Sequence, residues 1–278
     1  MTLIADSGST KTQWCLIKNG QIVKNILTNG INPFYQTENE IKTEIELFLI
    51  PEISIQSVNK VFFYGAGCSF PDKKIMVSNA LSSFFKFSRI EVQSDLLAVA
   101  RALFGNNQGI ACILGTGSNS CFYDGSKIVE NVSPLGFILG DEGSGAVLGK
   151  TLVSDCLKNQ LSFALKEKFL NQFEITLAEI LENVYKKPFP NRFLAKFTSF
   201  LCENIHEEEI YKIVYNGFTS FIKRNITQYQ TDGVKIGFVG SVAYNFKDIL
   251  YKVALENGLV VDIVDQSPMN RLVNFHTD

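Results

Sequence analysis

The chain has 278 residues, enough for two domains of ordinary size. Its 26 Lys and Arg against 28 Asp and Glu leave a formal net charge of −2, so nothing electrostatic points to nucleic acid or an anionic membrane as the main partner. Hydrophobic residues make up 46%, yet no apolar run approaches the roughly 20 residues that a membrane-spanning helix needs.

Leu3–Ala5, Gln13–Lys18 and Gln21–Leu27 read as three short strands. The first runs into Asp6 and a turn of small residues, Ser7-Gly8-Ser9-Thr10-Lys11-Thr12. That turn is either a plain hairpin or a nest of backbone N–H groups that cradles a phosphate. In the second case the Ser9, Thr10 and Thr12 hydroxyls and the Lys11 charge would assist. Asp6, at the strand end, is placed to hold a hydrated Mg²⁺, an ion that takes one or two carboxylates and keeps its waters. Asn32, before Pro33, is either a turn former or a hydrogen-bond partner for a polyol. A helix is predicted over Glu38–Leu49 from the stripe Ile41, Ile45, Phe48 and Leu49. A strand at Lys60–Tyr64, a helix at Lys73–Phe85, a strand at Ile90–Val92 and a helix at Asp95–Phe104 complete a βββαβαβα half. Asp95 opens the last helix as an N-cap or first-turn acid, or as a general base facing a ligand.

The second half repeats this opening after a boundary at Gly105–Gly109. An apolar strand, Gly109–Leu114, runs into Gly115-Thr116-Gly117-Ser118-Asn119, followed by strands at Ser120–Tyr123 and Lys127–Glu130. The paired glycines would let a phosphate approach the backbone closely. Leu135–Gly145 sets Asp141 and Glu142 between glycines, where Asp141 or Ser144 could cap the next helix, or a carboxylate could bind sugar hydroxyls or metal. A long helical region, about 146–230, is broken near Pro188 and Pro190. A strand at Lys235–Val239 leads through Gly240-Ser241-Val242-Ala243 to a helix at Phe246–Glu256 and a strand at Leu259–Val264. The turn after the first of these is an ordinary strand-to-helix connection or a seat for a flat ring such as adenine. Helices between strands predict an α/β fold of mixed sheets flanked by helices, and two such units predict an interdomain cleft.

The six cysteines, Cys15, Cys68, Cys112, Cys121, Cys156 and Cys202, form no C-x-x-C pair and lie mostly in apolar runs. They read as reduced, buried residues of a cytoplasmic protein, and no signal peptide is expected. His206 and His276 lack metal-ligand spacing. The 23 Phe suggest aromatic packing rather than a ligand site.

In this order, the segments resemble the actin, hexokinase and heat-shock-chaperone ATPase superfamily. Within it, the chain is similar to the BadF/BadG/BcrA/BcrD-type ATPases, specifically their N-acetylglucosamine kinase-like members. Asp6–Thr12 resembles the first phosphate motif, Gly115–Asn119 the second, Gly140–Ser144 a sugar-site segment and Gly237–Ala243 the adenosine motif. The resemblance implies two actin-like (ribonuclease H-like) domains, 1–106 and 107–278, the second with a helical insertion at about 146–230. It implies ATP and Mg²⁺ as cofactors, an amino-sugar substrate and, since relatives often dimerise, a homodimer. Asp95 would be the catalytic base and Asp6 would serve the metal. Gly8, Ser9, Thr10, Lys11, Thr12, Gly115 and Thr116 would hold phosphates, with Gly240 and Ser241 near adenine. Asn32, Gly117, Asn119 and Asp141 would contact the sugar. Ser7 and Ser9 depart from the glycines common in relatives, and the short, polar end at Ser267–Asp278 suggests that the long closing helix of some relatives is missing. A kinase acting on O6 of N-acetylglucosamine or a related amino sugar is the leading expectation. A dehydratase-activating ATPase with a cysteine-bound cluster and a non-catalytic sensor are the alternatives.

Overall fold

The computed structural model describes residues 1–8 and 10–277, so Ser9 and Asp278 lie outside the described residues. The chain divides into two compact units. One comprises Met1–Asn107, Gly125–Lys127 and the segment from Pro268 onward, and the other comprises Gln108–Asp124 and Ile128–Ser267.

The first unit opens with β1 (Thr2–Ser7), β2 (Lys11–Lys18) and β3 (Gln21–Asn29). It continues with α1 (Glu38–Glu44), β4 (Lys60–Gly65), α2 (Pro71–Ser82), β5 (Arg89–Ser94) and α3 (Asp95–Phe104). Thr37 and Glu40 form a reciprocal capping box that starts α1, and a π-helical turn, Ile45–Leu49, carries its apolar stripe onward. The sheet order is β3-β2-β1-β4-β5. β1 pairs antiparallel with β2 and parallel with β4, and β4 pairs parallel with β5. Trp14, Phe63, Ile41 and Leu81 are among the residues buried in the core beside this sheet.

The second unit contains β6 (Gly109–Leu114), β7 (Ser118–Tyr123), β8 (Ile128–Glu130) and the short α4 (Gly136–Leu139). A helical block follows: α5 (Gly145–Leu157), α6 (Phe163–Phe173), α7 (Leu177–Tyr185), α8 (Pro190–Ala195), α9 (Thr198–Glu203) and α10 (Glu208–Arg224). β9 (Ile236–Val239), α11 (Ser241–Asn245), α12 (Lys247–Glu256) and β10 (Val261–Asp265) close the unit. Its sheet order, β10-β9-β6-β7-β8, is that of the first sheet with each strand replaced by its counterpart. Phenylalanine fills the helical block, where Phe169, Phe173, Phe197 and Phe200 meet with ring centroids 4.8–6.5 Å apart.

The C-terminal end, short and polar in sequence, forms the short helix α13 (Met269–Thr277), which belongs to the first unit. Met269, Leu272 and Val273 are buried against Ile4, Cys15, Ile17, Tyr64, Ala98 and Ala102. The i, i+3, i+4 spacing of those three residues makes one apolar stripe, hidden in the composition by Asn270, Arg271 and Asn274. His276 continues the stripe. It stacks on Phe62 with centroids 3.8 Å apart and shares a hydrogen bond with Tyr64 Oη at 2.8 Å, while Arg101 donates to Tyr64 Oη at 2.7 Å.

Candidate functional site

In the first unit the candidate residues gather at the carboxyl ends of parallel strands, where ligands bind in open α/β sheets. Asp6 lies beside Tyr64 on β4, and Ser7, Gly65 and Ser94 form a row across β1, β4 and β5. Asp95 follows Ser94 directly. Ser94 is the cap of α3, its hydroxyl accepting from Leu97 N–H at 3.3 Å, so Asp95 is a first-turn acid and not the N-cap. Its Oδ1 accepts from the Leu96 N–H at 2.8 Å. Burial pushes the Asp95 carboxyl up to about 6 against the pull of that hydrogen bond. Burial, and then the charge of Asp95, pushes Asp6 up to about 7, with Lys11 pulling the other way.

The first hairpin turn is partly satisfied from within. Gly8 N–H donates to Lys11 O at 3.0 Å, and Gly30 N–H donates to Thr10 O at 3.1 Å. The Thr10 and Lys11 side chains are exposed, whereas Thr12 is wholly buried. Thr12 Oγ1 bonds Ser7 Oγ at 2.7 Å and donates to Asn29 O at 3.0 Å, so its hydroxyl braces the turn. Ser7 Oγ also receives the Ile31 N–H at 2.9 Å, which fixes the approach to Asn32. Ser9 lies outside the described residues. Asn32 is buried, and its Oδ1 accepts from Phe34 N–H at 3.0 Å. Gly67, at φ +82°, lies against it so closely that a Cβ there would sit 2.4 Å from Asn32 Oδ1.

In the second unit the structure brings the phosphate-loop, sugar-segment and adenosine-motif candidates together. Gly145 and Ala146, the first residues of α5, donate their otherwise orphaned N–H groups to Gly115 O at 2.8 Å and Thr116 O at 3.0 Å. Ser144 caps α5 by accepting from Val147 N–H at 3.2 Å, which leaves Asp141 free of that task. Asp141 Oδ1 accepts from Ser118 N–H at 3.2 Å, and a Cβ on Gly117 would sit 3.2 Å from Oδ2. Burial raises the Asp141 carboxyl to about 6, opposed by the Ser118 hydrogen bond and aided by Glu142. Gly240 has φ +130°, and a Cβ on it would meet Leu114 O at 2.2 Å, so the strand-to-helix turn can press against the phosphate-loop candidate only as glycine. Ser241 follows, exposed at the start of α11. Asn119 Oδ1 accepts from Ser120 N–H at 2.9 Å and Asn131 Nδ2 at 3.0 Å.

Sequence reasoning missed Asn131, which reaches Asn119 from a different strand connection, and the hold on Glu142. Glu142 Oε1 accepts from Arg224 Nε at 2.6 Å, and Oε2 from Asn225 Nδ2 at 3.4 Å. These pairs span a large sequence separation and have no local signature. Among the described residues no cluster of three or more His, Cys, Asp or Glu could hold a metal, and no helix is long and apolar enough to cross a membrane.

No family model and no curated protein matches the chain. A solved structure from Porphyromonas gingivalis, described as a "Putative N-acetylglucosamine Kinase", is 48% identical over 100% of this chain and 99% of that one, with a TM-score of 0.97. The chain belongs to the N-acetylglucosamine kinase-like ATPase family. A solved structure from Chromobacterium violaceum with the same description shares the fold at 15% identity and a TM-score of 0.77, over 99% of this chain and 98% of that one. The fold extends to a "putative N-acetylmannosamine kinase" from Listeria monocytogenes, at 15% identity and a TM-score of 0.53, over 99% and 97%. The two actin-like units described above are the fold of this family.

Proposed function

We propose that this protein is an ATP-dependent kinase that phosphorylates a hydroxyl of an amino sugar, O6 of N-acetylglucosamine or a close relative. The observation that carries the reading is the carboxylate of Asp141 held against the Gly117–Ser118 loop, an acceptor of sugar hydroxyls next to a phosphate-loop candidate. Gly8, Ser9, Thr10 and Lys11, with Gly115 and Thr116, would hold phosphates, and Thr12 would shape the first loop from within. Asn32, Gly117, Asn119 and Asp141 would orient the sugar, and Gly240 and Ser241 would border adenine.

Asp6 fits a Mg²⁺ ion. Its carboxylate is costly to keep charged when buried beside Asp95, and a divalent cation removes that cost. The ion would neutralise phosphate charge. Asp95 would accept the hydroxyl proton as the sugar oxygen bonds the γ-phosphorus and the bridging bond to the β-phosphate breaks, releasing ADP. The family resemblance supports a homodimer, and cysteines that form no disulfide among the described residues support a cytoplasmic setting. Five of those cysteines are buried, which counts against the cluster-bearing activator.

The test is Asp95→Asn, which keeps the shape and removes the base. Isothermal titration is expected to show ATP binding retained, and a phosphosugar assay to show transfer abolished. Near-normal turnover would remove Asp95 from this role.

A further inference from the structure

Asp141 holds an unusual backbone conformation for a residue with a side chain, φ +54°, in the left-handed region. The left-handed region disfavours a residue with a side chain, so neighbouring contacts must hold it in this pose, from which its carboxylate accepts from Ser118 N–H. On one side Asp141 N–H donates to Pro134 O at 2.9 Å, and Asp141 O receives Ser144 N–H at 3.1 Å. On the other side the next residue is tied to a distant helix. The Glu142 side chain is 17% exposed and bonds Arg224 Nε and Asn225 Nδ2 at the C-terminal end of α10. Gly143, at φ +70°, then packs so closely on Gly217, Phe218 and Phe221 of α10 that a Cβ would sit 3.3 Å from each.

We propose that Glu142, gripped by Arg224 and Asn225, is a positioning residue that fixes Asp141 against the Gly117–Ser118 loop and so sets affinity for the acceptor. The function of the anchor rests on the kinase reading, but the anchor itself is geometric. Asn225 is buried, with its Nδ2 also donating to Phe221 O at 3.2 Å, so it offers Glu142 a fixed partner. Arg224 is 64% exposed in its side chain and lies outside the candidate site, so it can be changed without opening the core. Its charge also suits a helix C-terminus.

Two variants remove the grip, Glu142→Ala and Arg224→Ala, and Arg224→Lys returns the charge. We expect Arg224→Ala to raise the KM for the acceptor sugar about fivefold and Glu142→Ala about tenfold, with kcat and the KM for ATP nearly unchanged. Arg224→Lys should recover most of the loss. Hydrogen exchange at the Asp141 and Ser144 amides should quicken in both alanine variants. Unchanged acceptor KM and unchanged exchange in both would overturn the proposal, as would an equal loss in kcat and in affinity for ATP. If wild type phosphorylates no sugar, the kinase reading fails and the exchange measurement alone decides whether the anchor exists.

Discussion

Asp6, Asp95 and Asp141 are all held with carboxyls above their ordinary value, and burial is the first cause in each. A carboxyl whose folded value is raised contributes stability below its unfolded value and loses it as pH rises through the folded one. For Asp6 the window runs from 3.8 to about 7. His276 acts in the opposite sense: burial and Arg101 lower it from 6.5 to about 4, so its contribution is present above 6.5 and lost as pH falls through that window. The variant Asp6→Asn isolates the first effect. Thermal melts without ligand should show wild type losing stability relative to Asp6→Asn as pH rises from about 4 to about 7, and parallel curves would contradict this. The variant should at the same time lose Mg²⁺-dependent nucleotide binding. The residue types of this site were legible, since small residues, glycines and acids recur at the strand ends. Which residue caps each helix was only partly legible: Ser144, one of two candidates in sequence, caps α5, whereas Ser94 rather than Asp95 caps α3, a choice fixed by backbone geometry at each helix start. Thr12 likewise read as a phosphate ligand, although its alternation on β2 places the side chain inside.

At the scale of elements, hydrophobic period located the strands and most helices, because each of these buries one face. The C-terminal segment shows where that signal thins. α13 has only three buried apolar positions, and its partners lie on β1, β2, β4 and α3, far away in sequence. Leu272 is 0% exposed among them. Leu272→Ala should destabilise the protein by about 2–5 kcal/mol, measured by denaturant unfolding, since it leaves a cavity between helix and sheet. A loss within about 0.5 kcal/mol, the range of ordinary surface substitutions, would mean that α13 does not hold the first unit. The helical block illustrates the converse. Its breaks at Lys158–Ser162, Glu174–Thr176 and Asn204–Glu207 carry no proline, so the sequence showed a long helical stretch where the chain makes separate helices.

For the whole molecule, the two sheets share one strand order, and each unit begins with a hairpin whose turn carries candidate phosphate contacts. That repeat was visible in sequence because the same local pattern of strand, small-residue turn and strand occurs twice. Sheet order was not, since it depends on pairings such as β1 with β4 and β6 with β9 that no local pattern encodes. Acceptor choice belongs to this scale too, because the candidate contacts Asn32, Gly117, Asn119 and Asp141 come from separated segments. The measurement that bears most directly on the central claim is an assay of purified protein with Mg-ATP and N-acetylglucosamine, glucosamine, N-acetylmuramic acid, N-acetylmannosamine or glucose. ADP release and phosphosugar mass are followed together. The account predicts ADP release that depends on an amino sugar, matched mole for mole by its phosphate ester. ATP hydrolysis indifferent to every sugar, or no turnover with any of them, would contradict it.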